Sequence, residues 1–196
     1  PQSAITIEGL LDLLRRARPA LCVLPISTPS LAVDMENARR IRQAVPGIRV
    51  AVIGVHATVM DRRLLIDHPQ VDYVLRHEPE LTFVALARAL DRGEDPSDLE
   101  GLSLRDDAGM PRQNPARAPL RDLDELPFPD WGALDVSRYR LPFSRRRFLI
   151  LAPSRGCPYD CSFCTAAPYY GHRVRRRSVG SLIEEIKHDR ERFGVD

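Results

Sequence analysis

Nothing in this 196-residue sequence is apolar for long enough to cross a bilayer, which takes roughly 18 or more consecutive apolar residues. No basic leader with an apolar core opens it, so the expected location is the cytoplasm. Cysteine is scarce: 4 residues, three of them crowded together, cannot make the framework of a disulfide-stapled secreted domain. Charge of one sign is lacking too. The 29 basic and 27 acidic residues leave a net charge of +2, which gives no general pull toward nucleic acid or an anionic membrane. Internal repeats and low-complexity tracts are absent. At 43% hydrophobic and 29% charged, the chain can bury an ordinary core and is expected to form one or two domains.

What is present is concentrated in Arg155-Gly156-Cys157-Pro158-Tyr159-Asp160-Cys161-Ser162-Phe163-Cys164. A C-x3-C-x2-C triplet sets three thiolates on one short loop around a single centre, one ligand short of a closed four-coordinate site. Structural zinc usually takes a second pair of Cys or His downstream, and only His172 and His188 follow. The spacing therefore favours an iron–sulfur cluster with one open metal position, zinc and inert thiols being the alternatives. Cys22, in an apolar run far upstream, reads as a small buried hydrophobe.

The run from Cys157 to Cys164, with an aromatic residue just before the third cysteine, resembles the signature of the radical S-adenosylmethionine enzymes. The resemblance implies a [4Fe–4S] cluster on Cys157, Cys161 and Cys164, with S-adenosylmethionine chelated at the unligated iron. Reductive cleavage of that cofactor to a 5′-deoxyadenosyl radical follows, with Phe163 against the adenine. It also implies an electron donor such as flavodoxin or ferredoxin and a small-molecule substrate. The protein's part in such chemistry is an open coordination site and a water-poor pocket.

Around the triplet, the apolar run 147–152 predicts a strand buried on both faces. After the loop, Ser178 or Ser181 can cap a helix that carries Leu182, Ile183, Ile186 and Phe193 at helical spacing, with Glu184 as in a capping box and Gly194 as the stop. Strand, ligand loop and helix together predict the first unit of a (β/α) barrel. Only that unit is present, and the chain opens at Pro1, so it reads as a piece of a longer enzyme. Two arginine runs flank the loop, 145–147 and 173–177, as a solvated face or a contact for anionic groups.

Earlier, helix and strand patterns alternate: a helix around 10–16, a strand at 20–24, a helix at 31–44 with Met35, Ala38, Ile41 and Val45 on one face, and a strand at 49–53. A helix at 62–67, a strand at 71–75 and a helix at 81–90 closed by Gly93 follow. Such alternation predicts a doubly wound, Rossmann-like parallel sheet with ligands at the carboxyl ends of its strands. The loops there, Pro25-Ile26-Ser27-Thr28 and Gly54-Val55-His56, with the run 71–80, resemble the second half of the cobalamin-binding domain found before the barrel in many radical S-adenosylmethionine enzymes. By that resemblance Ser27, Thr28, Gly54 and His56 would contact cobalamin. The chain departs from the family at Pro25 (usually Ser), Ile53 (usually Gly), His77 and Pro79, so a Rossmann-like domain kept for shape or substrate contact stays the alternative.

The expected organisation is a cobalamin-type domain over 1–98, a hairpin and proline-rich linker over 99–143, and the start of the barrel over 144–196. Asp122, Asp124 and Glu125, beside prolines, read as surface or helix-cap groups rather than acid–base catalysts, and Trp131 and Tyr139 as packing aromatics between the domains. The function implied is cobalamin-dependent methyl transfer to an unactivated carbon. Cobalamin-independent cyclisation, oxidation or methylthiolation, and a non-catalytic iron–sulfur or corrinoid-binding module, are the other readings.

Overall fold

The computed structural model describes residues 6–195. The chain divides into two compact units between Pro119 and Leu120.

The first unit begins with α1 (Ile7–Ala17), whose N-cap Thr6 accepts the Gly9 N–H at 3.2 Å and whose last turn carries Arg15 and Arg16 against the helix dipole. β1 (Leu21–Pro25) leads to α2 (Leu31–Ala44), which ends where the sequence predicts. Met35, Ala38, Ile41 and Val45 are all buried, so the face read from helical spacing is the packed one. Then come β2 (Arg49–Ile53), α3 (Val55–Val59), α4 (Asp61–Asp67), β3 (Tyr73–Leu75) and α5 (Glu80–Arg92), closed by Gly93 in the left-handed region.

β1, β2 and β3 pair in parallel, Cys22 opposite Val50 and Val52 opposite Val74. Alternation along the strands sends Val52 and Val74 to one face, against Met35 of α2 and Leu64 and Leu65 of α4. Ala51, Tyr73 and Leu75 face the other way, against Leu86 of α5. Helices on both faces leave the carboxyl ends of the strands as the place where loops converge.

The hairpin, expected in the linker, instead belongs to this sheet. β4 (Leu102–Arg105) and β5 (Pro111–Gln113) extend it in the order β1-β2-β3-β4-β5, with β4 antiparallel to β3. Leu102 and Leu104 join the Leu75–Leu86 core, burial that a free-standing hairpin would forgo. On the other side of β4, Ser103 is fully buried and donates to Asp61 at 2.5 Å.

The second unit starts with the proline-set connector, which folds into three short 3-10 turns at Leu123–Glu125, Trp131–Ala133 and Val136–Arg138. Asp122, Asp130 and Asp135 open them, each side chain accepting the N–H two residues on. Trp131 meets Tyr139 edge-on at 6.5 Å, and Tyr139 meets Phe148 at 6.4 Å, within this unit. β6 (Ser154–Arg155), α6 (Ala166–Tyr170), β7 (Arg175–Arg176) and α7 (Val179–Phe193) complete it.

Two expectations fail here. Residues 147–152 form no strand, apart from an isolated bridge between Arg140 and Arg147, and Ile150 is 66% exposed. A strand buried on both faces needs neighbours along both edges; among the described residues none lies beside this run, so apolarity alone does not make it β. α7 also buries the wrong face for the predicted pattern. Ser178 is the cap, accepting the Ser181 N–H at 3.1 Å, so the Ser181–Glu184 capping box does not form. Ile183 and Ile186 are exposed, whereas Glu185 and Asp189 are buried. Glu185 is neutralised by Arg177, which permits a carboxylate inside.

Candidate functional site: a three-thiol loop and a sheet-end crevice

In the second unit, β6 and β7 pair antiparallel, Ser154 opposite Arg176 and Arg155 opposite Arg175, and close a loop over residues 156–174 like a neck. Gly156 stands at its entrance with φ +91°. A Cβ there would sit 2.2 Å from the Arg173 carbonyl oxygen, so only glycine lets the two backbones cross. Immediately after it, the Cys157 N–H donates to the Gly171 carbonyl at 3.2 Å, and the Arg177 N–H donates to the Pro153 carbonyl at 2.9 Å.

All three loop cysteines are free thiols; Cys157 is half-buried, Cys161 and Cys164 exposed. A turn links the last two, the Cys164 N–H donating to the Cys161 carbonyl at 3.0 Å, while Cys164 Sγ accepts the Ala166 N–H at 3.4 Å. Phe163 is 89% exposed on the same turn. Among the described residues, no three His, Cys, Asp or Glu side chains converge as ligands of one metal ion. The donor set nevertheless fits a three-thiolate cluster: three soft sulfur donors on one loop, none tied up in a disulfide.

The arginines of the run 173–177 divide by role. Arg175 is buried and donates to the Leu120 carbonyl at 2.7 Å and to the Tyr170 carbonyl at 3.3 Å. Arg177 pairs with Glu185, donates to Ser181 Oγ at 2.7 Å and lies 5.5 Å from the Phe128 ring centroid. Only Arg173 and Arg176 remain exposed in the run, so the predicted basic face is half structural. Asp124 accepts the Ser178 N–H at 3.1 Å through each carboxylate oxygen, and the Ser178 hydroxyl first, then this N–H, holds its pKa below the usual carboxylate range against the opposing effect of desolvation. It supports the start of α7 by holding the backbone N–H of the cap residue Ser178.

In the first unit, the carboxyl ends of β1, β2 and β3 carry the other candidate residues. Gly54, with φ +113°, follows β2; a Cβ there would lie 2.8 Å from the Ile26 carbonyl oxygen, so β1 and β2 leave the sheet in backbone contact. The structure joins Thr28 and His56, with Thr28 Oγ1 at 2.9 Å from His56 Nδ1. Ser27 turns instead to Ser30, the hydroxyls 2.7 Å apart, and Ser30 donates to Asp34 at 2.6 Å. On the far side of α3 the His77 N–H donates to Thr58 Oγ1 at 2.8 Å, and His77 itself has φ +58°. His56 and Thr58 thus tie the β1 and β3 loops to the short helix after Gly54. The second tie was not foreseen, since a threonine inside a helix carries no sequence signal for it.

The same unit holds a buried polar group that sequence reasoning also missed. Asp61, 3% exposed at the start of α4, accepts Ser103 and both bonds of the Gln113 amide, with Arg76 Nε 3.7 Å away. Arg76 closes β3 and donates to the Asn114 carbonyl.

No family model matches the chain. An uncharacterized methyltransferase of Pyrococcus horikoshii is 27% identical over 97% of the chain, which spans 41% of that relative. The anaerobic magnesium-protoporphyrin IX monomethyl ester cyclase of Cereibacter sphaeroides is 30% identical over 93% of the chain and 30% of its own length. The chain therefore spans less than half of the curated relatives it matches. Among solved structures, the cobalamin-dependent S-adenosylmethionine radical enzyme OxsB, with aqua-cobalamin and S-adenosylmethionine bound, superposes with a TM-score of 0.77 at 20% identity, over 98% of this chain and 26% of its own. That likeness is one of fold.

Proposed function

We propose that the chain is part of a radical S-adenosylmethionine enzyme with an N-terminal cobalamin-binding domain, one that transfers a methyl group to an unactivated carbon of a small molecule. The observation that carries the reading is the loop of three free thiols, closed at a neck that only glycine fits. Cys157, Cys161 and Cys164 would hold a [4Fe–4S] cluster, which when bound supplies the electron that cleaves S-adenosylmethionine. Phe163, beside the third thiol, offers an aromatic face to the adenine. Arg173 and Arg176 give the loop's rim positive charge for anionic groups.

In the first unit, the crevice of Ser27, Thr28, Gly54 and His56 would receive the nucleotide tail of cobalamin. Gly54 brings backbone within reach, and the Thr28 hydroxyl fixes the ring of His56. Residues 144–196 would form the start of the radical domain, and an electron donor such as flavodoxin or ferredoxin would supply the electron. No described helix is long and apolar enough to cross a membrane.

The second reading is radical cyclisation or oxidation without cobalamin; the 30% identity to a cyclase favours its cyclisation part alone. Anaerobic purification of the full-length protein with iron, sulfide and hydroxocobalamin separates them. Methyl transfer requires a bound corrinoid spectrum together with 5′-deoxyadenosine formed on reduction. 5′-Deoxyadenosine without a corrinoid selects the second reading, and neither product overturns both.

A further inference from the structure

We propose that Arg175 is a positioning residue for the cluster loop, holding Cys157 in place through the end of α6; the inference rests on the cysteines carrying a cluster. Arg175 lies directly across the β6–β7 ladder from Arg155, two residues before Cys157. Its side chain is buried and grips two main-chain carbonyls at once, that of Leu120 at 2.7 Å and that of Tyr170 at 3.3 Å. Tyr170 is the last residue of α6, and the next residue, Gly171, accepts the Cys157 N–H. One guanidinium thus fixes the helix end whose following carbonyl holds the first thiol-bearing residue.

α6 has five residues and too few internal hydrogen bonds to hold its own C-terminus. Its last carbonyls need a donor, and a planar fork serves the two carbonyls from two separate nitrogens, Nη1 to Leu120 and Nη2 to Tyr170. Of the three thiols, the one next to this clasp is the half-buried one, while the exposed pair lies further along the loop. Partners that orient metal ligands from outside the coordination shell typically change metal affinity by about 10–100-fold when removed. Arg175 therefore sets how tightly and in what geometry the cluster is held, without touching it.

The test compares wild type with Arg175→Ala and Arg175→Lys after anaerobic reconstitution with iron and sulfide. Two readouts are taken well below each protein's melting temperature: the electron paramagnetic resonance spectrum of the reduced cluster with and without S-adenosylmethionine, and the rate of iron loss to a chelator. Both variants are expected to lose iron about 10-fold or more faster and to show a broadened spectrum with a diminished response to S-adenosylmethionine. Lys keeps the charge but not the fork, so it decides the matter even if the Ala variant fails to fold. A lowered melting temperature with unchanged spectrum and iron-loss rate makes Arg175 merely structural and overturns the inference. A wild-type protein that takes up no cluster overturns the functional reading instead.

Discussion

Replacing Gly156 with Ala should disable the cysteine loop without removing a single ligand. The new Cβ would sit 2.2 Å from the Arg173 carbonyl oxygen and 2.9 Å from its carbon, with the Gly171 oxygen at 3.3 Å. Carbon and oxygen settle near 3.3 Å or beyond, so the two strands of the neck must part by roughly 1 Å. Parting them strains the Cys157–Gly171 bond and the β6–β7 pairing. Holding a non-glycine residue at positive φ costs about 1–3 kcal/mol, and forcing the crossing apart about 1–3 kcal/mol more. A weakened hydrogen bond adds about 1 kcal/mol, for a total near 3–7 kcal/mol against a domain stability of about 5–15 kcal/mol. Gly171 is the internal control: its φ is +81°, but a Cβ there meets nothing within 4 Å. Gly171→Ala should carry only the torsional cost, about 1–3 kcal/mol. Anaerobic urea unfolding and iron content after reconstitution should rank wild type, then Gly171→Ala, then Gly156→Ala well below. Equal stability and iron content for the two variants would refute the backbone-crossing argument.

Gly54→Ala, with its Cβ 2.8 Å from the Ile26 oxygen at φ +113°, should cost about 2–4 kcal/mol in thermal unfolding and lower the corrinoid bound on purification; undiminished corrinoid uptake would remove the crevice from the site. Asp61→Ala leaves the buried Ser103 hydroxyl and the half-buried Arg76 guanidinium, with the Gln113 amide at the surface, around a missing carboxylate and should destabilise by about 3–5 kcal/mol in urea titration. A loss under 1 kcal/mol would mean that water replaces the carboxylate. The carboxyl of Asp189 is pushed above its ordinary pKa, first by burial and then by the charge of Glu185, with His188 opposing. The folded state therefore holds this proton more tightly than the unfolded chain does. Its contribution is fullest below the ordinary carboxylate range and is lost as pH rises through the folded pKa. Asp189→Asn should accordingly melt higher than wild type at pH 7, with the gap closing toward about pH 4; a gap independent of pH would contradict this.

The sheet was legible because its signals are local and mutually consistent. Apolar runs of strand length, the Met35–Ala38–Ile41–Val45 face and the Pro46-Gly47 stop all act within a few residues of themselves, and α2 and β2 fall where they place them. The second unit was less legible since its signals depend on neighbours. Residues 147–152 have strand composition but no adjoining strand, and α7 has an apolar face and an acidic one, of which the acidic one finds Arg177 and is buried. The Asp61 group joins residues from α4, β4, β5 and the position just after β3, a convergence set by topology that spacing along the chain does not encode. At the thiol loop, the cysteine spacing singles out the candidate donors, whereas the buried Arg175 looks in sequence like any residue of a basic run.

The most direct measurement is electron paramagnetic resonance of the anaerobically reconstituted, dithionite-reduced protein, with and without S-adenosylmethionine, alongside its Cys161→Ala variant. A [4Fe–4S]⁺ signal in wild type that shifts when S-adenosylmethionine is added, and that vanishes in the variant, is the predicted result. A wild-type protein that holds zinc or no metal, or a variant whose signal is unchanged, would contradict the assignment of Cys157, Cys161 and Cys164 as the cluster ligands.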